Sequence, residues 1–289
     1  MCRLFGMSGG PRRVAATFWL IEAPDSLAAQ SRREPDGTGL GSFDERGRPL
    51  VAKQPLAAYE DQQFAREARE VHSHTFVAHI RYASTGTVEL KNTHPFEQQG
   101  RLFAHNGVIG DVPGLDRELG EAISLVQGDT DSERYFALIT RAIAQSGDVG
   151  GAIEEAAGRI AQNLPVFALN CILITPTELW ALRYPDTHEL YVLERDAGGP
   201  SGERHLEQSS PWRTVRVHSA DLADARAVVV ASEKMDDDPG WRALEPGELL
   251  HVDPELHVTR RRALDQPPAR QLTLADLDPK AAASQRPQK

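Results

Sequence analysis

The second residue of the chain, Cys2 in MCRLFGMSGG, brings together two groups that could perform nucleophilic chemistry. If Met1 is removed, the Cys2 thiol lies beside its own α-amine, whose pKa in a free chain is about 8. This amine can accept the thiol proton, directly or through water, so the pair needs no separate histidine. The alternative is an early cysteine without a catalytic role, which its position alone does not exclude.

A second stretch, FAHNGVIG, contains the hydrogen-bond donors that an amide hydrolase needs. Thiol attack on a carbonyl forms an oxyanion, to which the Asn106 side-chain amide and the Gly107 backbone N–H could both donate. Glycine at position 107 would also permit a close approach by the substrate. Asn-Gly between apolar runs is equally a strong hairpin-turn signal, and that alternative stays open.

Two charged residues could hold the ends of a small amino-acid substrate. Arg81 in AHIRYASTG lies at the end of a predicted strand, where its guanidinium can bind a carboxylate through two parallel hydrogen bonds. Asp131 in GDTDSE lies at a predicted helix start, where the helix dipole keeps a carboxylate ionised and able to bind an ammonium group. A surface arginine and a helix-starting aspartate are the ordinary alternatives.

Together, Cys2 and the stretches HIRYAST, NTHPF, AHNG and TDSE resemble the class II glutamine amidotransferases, a family with an N-terminal cysteine nucleophile. Their order is that of the family. The intervals are similar as well, with 13 residues from Arg81 to His94, 12 more to Asn106 and 25 more to Asp131. The later stretch VVVASEKMDDDPGWRALEPGELLHV is similar to the terminal portion of the small standalone members. This similarity suggests relatives such as the ergothioneine-pathway amidohydrolase and the glutathione-degrading γ-glutamyl hydrolase subunits.

This resemblance implies a role for each matching residue. Cys2 would be both nucleophile and base, and Asn106 with Gly107 would form the oxyanion hole. Arg81 and Asp131 would bind the carboxylate and the amine of glutamine. The resemblance also implies a four-layer αββα sandwich of the N-terminal-nucleophile hydrolase type, and it implies no cofactor and no bound metal.

Two further residues receive roles from the resemblance. His94 in NTHPF would shape the substrate pocket rather than act as a base, and a hydrogen-bonded structural histidine is the alternative. Ser84, three residues after Arg81, would help to bind the substrate carboxylate.

The implied reaction is attack of Cys2 on a γ-glutamyl amide, followed by hydrolysis of the thioester to glutamate. Either ammonia passes to a synthase partner, or a larger amine leaves; no acceptor-binding or nucleotide-binding domain is recognisable. One alternative is a metal-dependent hydrolase that uses His72 and His74 in VHSHTFVAH, with His79, His94 and His105 following. Another is a non-catalytic sandwich that binds glutamine and serves in regulation.

Composition limits the remaining classes of function. The 42 acidic and 32 basic residues give a formal charge of −10, which disfavours nucleic-acid binding. No apolar run approaches the length of a membrane span and no secretory signal is recognisable, so we expect a cytoplasmic protein. Cys171 lies in the apolar run NCILIT and is predicted to be a small buried hydrophobe.

The elements that must position these residues belong to an α+β chain. TFVAHIRYAS and RLFAHNG are predicted strands, and TDSERYFALITRAIAQ is a predicted helix that begins with a capping box of Thr130 and Glu133. A second helix is predicted through GAIEEAAGRIAQ, followed by strands from Pro165 onward. Helices between two groups of strands indicate stacked, mainly antiparallel sheets with outer helices. We expect a single domain over residues 2–263 and a flexible tail over residues 264–289.

Overall fold

The computed structural model describes residues 2–32, 36–81, 89–198, 208–209, 216–217 and 224–285. Its strands are, in chain order, β1 (Arg3–Ser8), β2 (Val14–Ala15), β3 (Thr38–Phe43), β4 (Pro49–Gln54), β5 (His72–Ser73), β6 (Thr75–Ile80), β7 (Phe96–Gln98), β8 (Arg101–Ile109), β9 (Pro165–Ile174), β10 (Leu179–Leu182), β11 (Tyr191–Arg195), β12 (Gln208–Ser209), β13 (Arg216–Val217), β14 (Ala227–Ala231), β15 (Arg242–Ala243), β16 (Glu248–Val252), β17 (Val258–Arg262) and β18 (Arg270–Gln271).

The helices lie mostly between the strands. The α-helices are α1 (Leu27–Gln30), α2 (Gln62–Glu70), α3 (Val112–Leu119), α4 (Asp131–Ser146), α5 (Val149–Asn163) and α6 (Pro279–Gln285). A π-helical turn covers Phe18–Glu22, and 3₁₀ turns cover Leu90–Asn92 and Gly120–Leu125. In the part of the chain that the structure describes, no helix is long and apolar enough to span a membrane.

Two large sheets form the centre of the molecule. The first has the strand order β15-β11-β14-β1-β6-β3-β4, and the second has the order β17-β16-β10-β9-β8-β7. The neighbouring strands of both orders pair antiparallel, while the short β18 adds to β9 in parallel. β1 therefore lies in the middle of the first sheet, and β8 and β9 form the corresponding part of the second.

Three apolar clusters show that the sheets are stacked between two helical layers. One cluster lies between the sheets, one between the second sheet and α3, α4 and α5, and one between the first sheet, the π-helical turn, α1 and α2. Along β14, Val228 and Val230 pack between the sheets, and Val229 and Ala231 pack against the helices, because side chains alternate along a strand. This arrangement confirms the predicted αββα sandwich of the N-terminal-nucleophile hydrolase type.

Two segments with helix-compatible sequences form different structures. Residues 13–32, an apolar stretch with a helix-compatible sequence, form the short strand β2, the π-helical turn and the short α1. Thr130 caps α4 as predicted, because its hydroxyl accepts from the Glu133 N–H at 3.3 Å. The Glu133 carboxylate instead accepts from the N–H groups of Gln127 and Gly128, at 3.0 and 2.6 Å. It thereby fixes the loop that leads into α4.

The segment after residue 263 makes contacts with the second sheet in its described part. Its strand β18 pairs with the start of β9. Leu272, Leu274 and Leu277 pack against a small cluster next to β9, and His188 Nε2 donates to Gln285 Oε1 at 2.7 Å. The predicted domain boundary and the predicted flexibility of the tail stay predictions, and these contacts oppose mobility.

Candidate active site

The start of β1 and the end of β6 meet at one edge of the first sheet. These strands are antiparallel, with Arg3 opposite Ile80, so the same register places Cys2 beside Arg81. The end of β8 reaches the same edge from the second sheet. There the Ile109 N–H donates to Asp131 Oδ2 at 2.8 Å, which links β8 to the start of α4. The sandwich thus gathers the predicted site residues from four separate elements.

Asn106 holds Cys2 in place at this edge. Cys2 is buried, with 8% of its surface exposed, and Asn106 is fully buried on β8. Asn106 Nδ2 donates to the Cys2 carbonyl oxygen at 3.0 Å. Asn106 Oδ1 is buried and has no hydrogen-bond partner among the described residues. Since an amide nitrogen carries two N–H groups, one remains to serve a ligand.

Gly107 is required by the packing of β8 on β9. A Cβ atom at this position would lie 1.9 Å from the Ala168 carbonyl oxygen and 2.8 Å from His105 Nε2. Neither atom can move away, because the first belongs to the backbone and the second to a buried ring. Asn106 and Gly107 lie inside β8, opposite Asn170 and Leu169. The hairpin-turn interpretation of Asn-Gly is therefore wrong.

Arg81 brings a buried positive charge to the site. Arg81 directly follows β6, and only 3% of its surface is exposed. Its backbone N–H donates to the Gly37 carbonyl at 2.8 Å. Burial lowers the pKa of Arg81, and nearby Cys2, Asp36 and Asp131 oppose this effect. The guanidinium remains charged because arginine does not deprotonate in proteins. A buried cation beside Cys2 favours the thiolate and provides a site for a carboxylate.

Asp131 supplies the complementary negative charge. It is the first residue of α4, a helix of 16 residues, and it is buried with 2% exposure. The N–H groups of a helix N-terminus stabilise an anion at this place. One carboxylate oxygen, Oδ2, accepts from Ile109, so the group is oriented as well as buried. Arg81 and Asp131 together form a dipolar pair suited to an amino acid's carboxylate and ammonium.

Two buried histidines complete one side of the site. The rings of His79 and His94 lie 4.1 Å apart, and none of their four ring nitrogens has a hydrogen-bond partner among the described residues. Burial, with the charge of Arg81 as a smaller cause, lowers the pKa of His79 to about 3. Burial likewise lowers the pKa of His94 well below its ordinary value. Both rings are therefore neutral at pH 7.

These residues line a single narrow cavity of about 20 Å³, which has room for one water molecule. Five of the predicted site residues lie on it: Cys2, Arg81, His94, Gly107 and Asp131. Asn106 does not line the cavity, but its side chain donates a hydrogen bond to Cys2, which does. Ser84 lies outside the described residues, so its predicted contact with a carboxylate stays a prediction.

Comparison with known proteins identifies the family. The model for class-II glutamine amidotransferases matches residues 1–273. The chain belongs to this family. Its members are enzymes that act on carbon–nitrogen amide bonds, which agrees with the expectation from the sequence motifs.

Individual relatives differ in how much of their length this amidotransferase chain covers. It is 28% identical over 262 residues to the gamma-glutamyl-hercynylcysteine sulfoxide hydrolase of Mycolicibacterium smegmatis, covering 87% of this chain and 96% of that one. It is 31% identical over 169 residues to the probable glutamine amidotransferase DUG3 of Saccharomyces cerevisiae, covering 51% of this chain and 47% of that one. Its fold matches the glutamine phosphoribosylpyrophosphate amidotransferase of B. subtilis with a TM-score of 0.62 at 22% identity, over 92% of this chain and 50% of that one.

The structure also places residues at the amidotransferase site that sequence reasoning missed. The additional lining residues are His79, Asn92, His105, Thr130 and Ser132. Strand periodicity could have found His79, because it precedes Arg81 by two positions and so points to the same face. His105 is held by both ring nitrogens: Nε2 donates to the Ala168 carbonyl at 3.1 Å, and Nδ1 accepts from the Ser132 hydroxyl at 2.9 Å. No local sequence signal predicts this last contact.

The second cysteine of the amidotransferase has a different environment. Cys171 is fully buried on β9, and its sulfur lies 3.7 Å from the Tyr135 hydroxyl. Burial raises the pKa of the Cys171 thiol to about 12. The prediction of a small buried hydrophobe is confirmed.

The histidines of the metal-hydrolase alternative do not form one group in the amidotransferase fold. His79, His94 and His105 line the cavity with Cys2, whereas His72 and His74 are not among its lining residues. His72 is exposed and contacts the Glu70 carbonyl, while His74 Nδ1 lies 2.8 Å from the Gly10 carbonyl. Among the described residues, the one group of three potential ligands within coordination distance is Asp253, Glu255 and His257, in the turn between β16 and β17. That exposed turn contains none of the predicted site residues.

Proposed function

We propose that this amidotransferase-family protein is a hydrolase of γ-glutamyl amides with Cys2 as its N-terminal nucleophile. The observation that carries the proposal is the convergence of Cys2, Arg81, Gly107 and Asp131 on one cavity, with Asn106 bonded to Cys2. Cys2, Arg81 and Asp131 come from different parts of the chain, and Asn106 and Gly107 are neighbours on β8. A merely structural cysteine would not need an oxyanion hole and a dipolar binding pair beside it.

The chemistry begins when Met1 has been removed. Arg81 binds the substrate α-carboxylate and Asp131 binds its α-ammonium group, so the γ-carbonyl carbon lies at Cys2. The thiol proton moves to the α-amine of Cys2, the sulfur bonds to the γ-carbonyl carbon, and the carbonyl electrons move onto oxygen. Asn106 Nδ2–H and Gly107 N–H stabilise this oxyanion.

The intermediate then collapses to a γ-glutamyl thioester. The carbon–nitrogen bond breaks, and the leaving nitrogen takes the proton back from the α-ammonium of Cys2. Water attacks the thioester, which releases glutamate and restores the thiol. His79 and His94 are poor general bases here because burial lowers their pKa values, so their proposed role is to shape the pocket and contact the substrate.

Hydrolysis is proposed in preference to ammonia transfer. The relative covered over 96% of its length bears the name of a γ-glutamyl hydrolase, whereas the amidotransferase from B. subtilis is about twice as long as the matched region. Transfer of ammonia to a separate synthase partner is the second candidate. A cytoplasmic location is proposed because a nucleophilic thiol that is not part of a disulfide survives best in a reducing compartment.

The decisive experiment is the intact mass of the protein before and after treatment with the glutamine analogue 6-diazo-5-oxo-norleucine. We expect loss of one methionine and one adduct, located on Cys2 by peptide mapping. Cys171→Ala is the matched control and should still form the adduct, while Cys2→Ala should not. Retention of Met1 with no adduct would overturn the proposed mechanism and favour a non-catalytic glutamine-binding sandwich.

A further inference from the structure

A second cavity, of about 560 Å³, lies at the same edge of the sandwich as Cys2. Its size falls within the roughly 300–1,000 Å³ of small-molecule sites. We propose that this cavity binds the leaving amine of a γ-glutamyl substrate, and that it selects an alkyl amine with an ammonium group at its far end. This inference rests on the proposed function and specifies its substrate class.

Backbone contacts place the cavity next to the residues that follow Cys2. Ser232 and Glu233, which come directly after β14, line the cavity. The Leu4 N–H donates to Ser232 Oγ at 3.0 Å, and the Ser232 N–H donates to the Leu4 carbonyl at 3.1 Å. Arg3 forms a salt bridge with Glu233 at 2.6 Å. The cavity is therefore joined to the start of β1 by three polar contacts.

Contacts within the second sheet connect the proposed oxyanion hole to this cavity. Asn106, which binds the Cys2 carbonyl, lies opposite Asn170 in the β8–β9 pair. Asn170 Nδ2 donates to the His188 carbonyl at 3.1 Å, and His188 lines the cavity. A group that leaves the γ-carbonyl on the side away from Arg81 and Asp131 would point toward this cavity.

The charges around the cavity indicate which amine it accepts. Among the described residues that line it, three are acidic and none is a lysine or an arginine. Glu189 and Glu233 are neutralised by Arg183 and Arg3, at 3.1 and 2.6 Å. Asp186 receives only an amide contact of 3.4 Å from Gln271 and has no ion pair within the described chain. It is the carboxylate available to a cationic ligand.

The rest of the lining suits an alkyl chain. Phe167, Leu272 and Leu274 provide apolar surface, and the Phe167 ring lies 5.2 Å from that of His188. Lys234 lies over the Tyr191 ring at 5.6 Å but is not part of the lining. A ligand with a free carboxylate would meet only acidic and neutral groups there, so γ-glutamyl peptides should be poor substrates.

The chain beyond the family match closes this cavity. The match ends at residue 273, whereas Gln285 at the end of α6 accepts from His188 Nε2 at 2.7 Å. Burial lowers the pKa of His188 to about 4, so the ring is neutral at pH 7 and donates through this one nitrogen. Gln285 thus lies outside the residues that the family model matches, and it positions His188 in the cavity.

The test uses three γ-glutamyl amides of equal chain length whose far ends carry an ammonium, a methyl or a carboxylate group. Glutamine serves as the reference substrate, and kcat/KM is measured for each with the full-length protein. We expect kcat/KM to be highest for the amide with the ammonium group, intermediate for the methyl group and lowest for the carboxylate group. In Asp186→Asn, the ammonium-to-methyl ratio should fall by about fivefold, the upper end for a solvent-exposed charge pair, while glutamine hydrolysis should not change. Asp196→Asn, a change at an exposed residue elsewhere, is the matched control and should preserve the ratio.

Gln285→Ala should raise KM for all three extended amides and leave glutamine unaffected. A carboxylate probe equal to or better than the ammonium probe would overturn the inference, as would equal effects of Gln285→Ala on glutamine and on the extended amides. If the protein releases glutamate from none of the four substrates, the proposed function itself fails. The two failures are therefore distinguishable.

Discussion

Two buried cysteines mark two contrasting regions of this protein. Cys171 lies in the helix-facing core of the second sheet, where its neighbours are apolar or, like Tyr135, pair with it. Cys2 lies at the edge where both sheets end, among buried groups whose hydrogen-bonding capacity is not used. Asn106 Oδ1 and the ring nitrogens of His79 and His94 are the described examples.

The contrast shows that burial alone does not distinguish a structural thiol from a reactive one. Burial without a nearby cation raises the pKa of Cys171 to about 12. At the other cysteine, Arg81 provides a cation, and a cavity gives access. Buried polar groups without partners cost free energy of folding, and the well-packed core around Cys171 offsets that cost. Stability and reactivity are thus located in different parts of the same sandwich.

The largest effect is expected from replacing Cys2 by alanine, with the same replacement at Cys171 as the comparison. Cys2→Ala removes the nucleophile, and we expect glutamate release from glutamine to fall by a factor on the order of 10⁴ or more. Cys171→Ala should retain activity and lose only a little thermal stability, because a small buried group is removed. Glutamate formation and Tm measured on both variants check this. Equal losses of activity would mean that the two regions are not functionally distinct.

The next effect concerns the two glycines near the end of β8. In Gly107→Ala the new methyl group would meet the Ala168 carbonyl at 1.9 Å, whereas in Gly110→Ala it would meet only a Pro165 carbon at 3.1 Å. We expect Gly107→Ala to lose about 3 kcal/mol of stability, at the upper end for overpacking, and Gly110→Ala to lose much less. Denaturant unfolding measures both. Similar values would show that β8 can move away from β9.

A pH experiment tests the buried site histidine His79. The pKa of His79 is about 3 in the folded protein and 6.5 when unfolded, so the unfolded chain binds more protons between these values. Stability is therefore complete above pH 6.5 and is lost as the pH falls, by about 2 kcal/mol at pH 5 from this residue. His79→Leu should reduce the loss between pH 8 and pH 5 by that amount.

Activity supplies a second measurement on the same variant. His79→Leu should also lower activity, because it removes a polar group from the cavity that contains Cys2. A variant that keeps the full acid sensitivity of the native protein would contradict a neutral buried ring at position 79.

The sequence predicts the parts of this molecule that depend on local pattern or on family motifs. The strand over residues 75–80, the capping of α4 by Thr130 and the burial of Cys171 all follow from short stretches. The bond from His105 to Ser132 and the closure of the second cavity by Gln285 join residues 27 and 97 positions apart. Such contacts depend on how the sheets stack, which no single stretch encodes. Asn-Gly misleads for a related reason, because pairing with β9 overrides its turn propensity.

The smallest effect concerns two of the helices that cover the second sheet. The Thr130 hydroxyl accepts a hydrogen bond from the Glu133 N–H at the start of α4, next to the site, whereas the Asp148 side chain at the start of α5 accepts none from its helix. Thr130→Ala should therefore cost about 1 kcal/mol, and Asp148→Ala should cost less. Because Thr130 also lines the cavity and precedes Asp131, its loss should raise KM for glutamine, while Thr130→Ser should restore both stability and KM. Urea unfolding and steady-state kinetics measure the two effects. If Thr130→Ala loses stability without any change in KM, the start of α4 belongs energetically to the core rather than to the site.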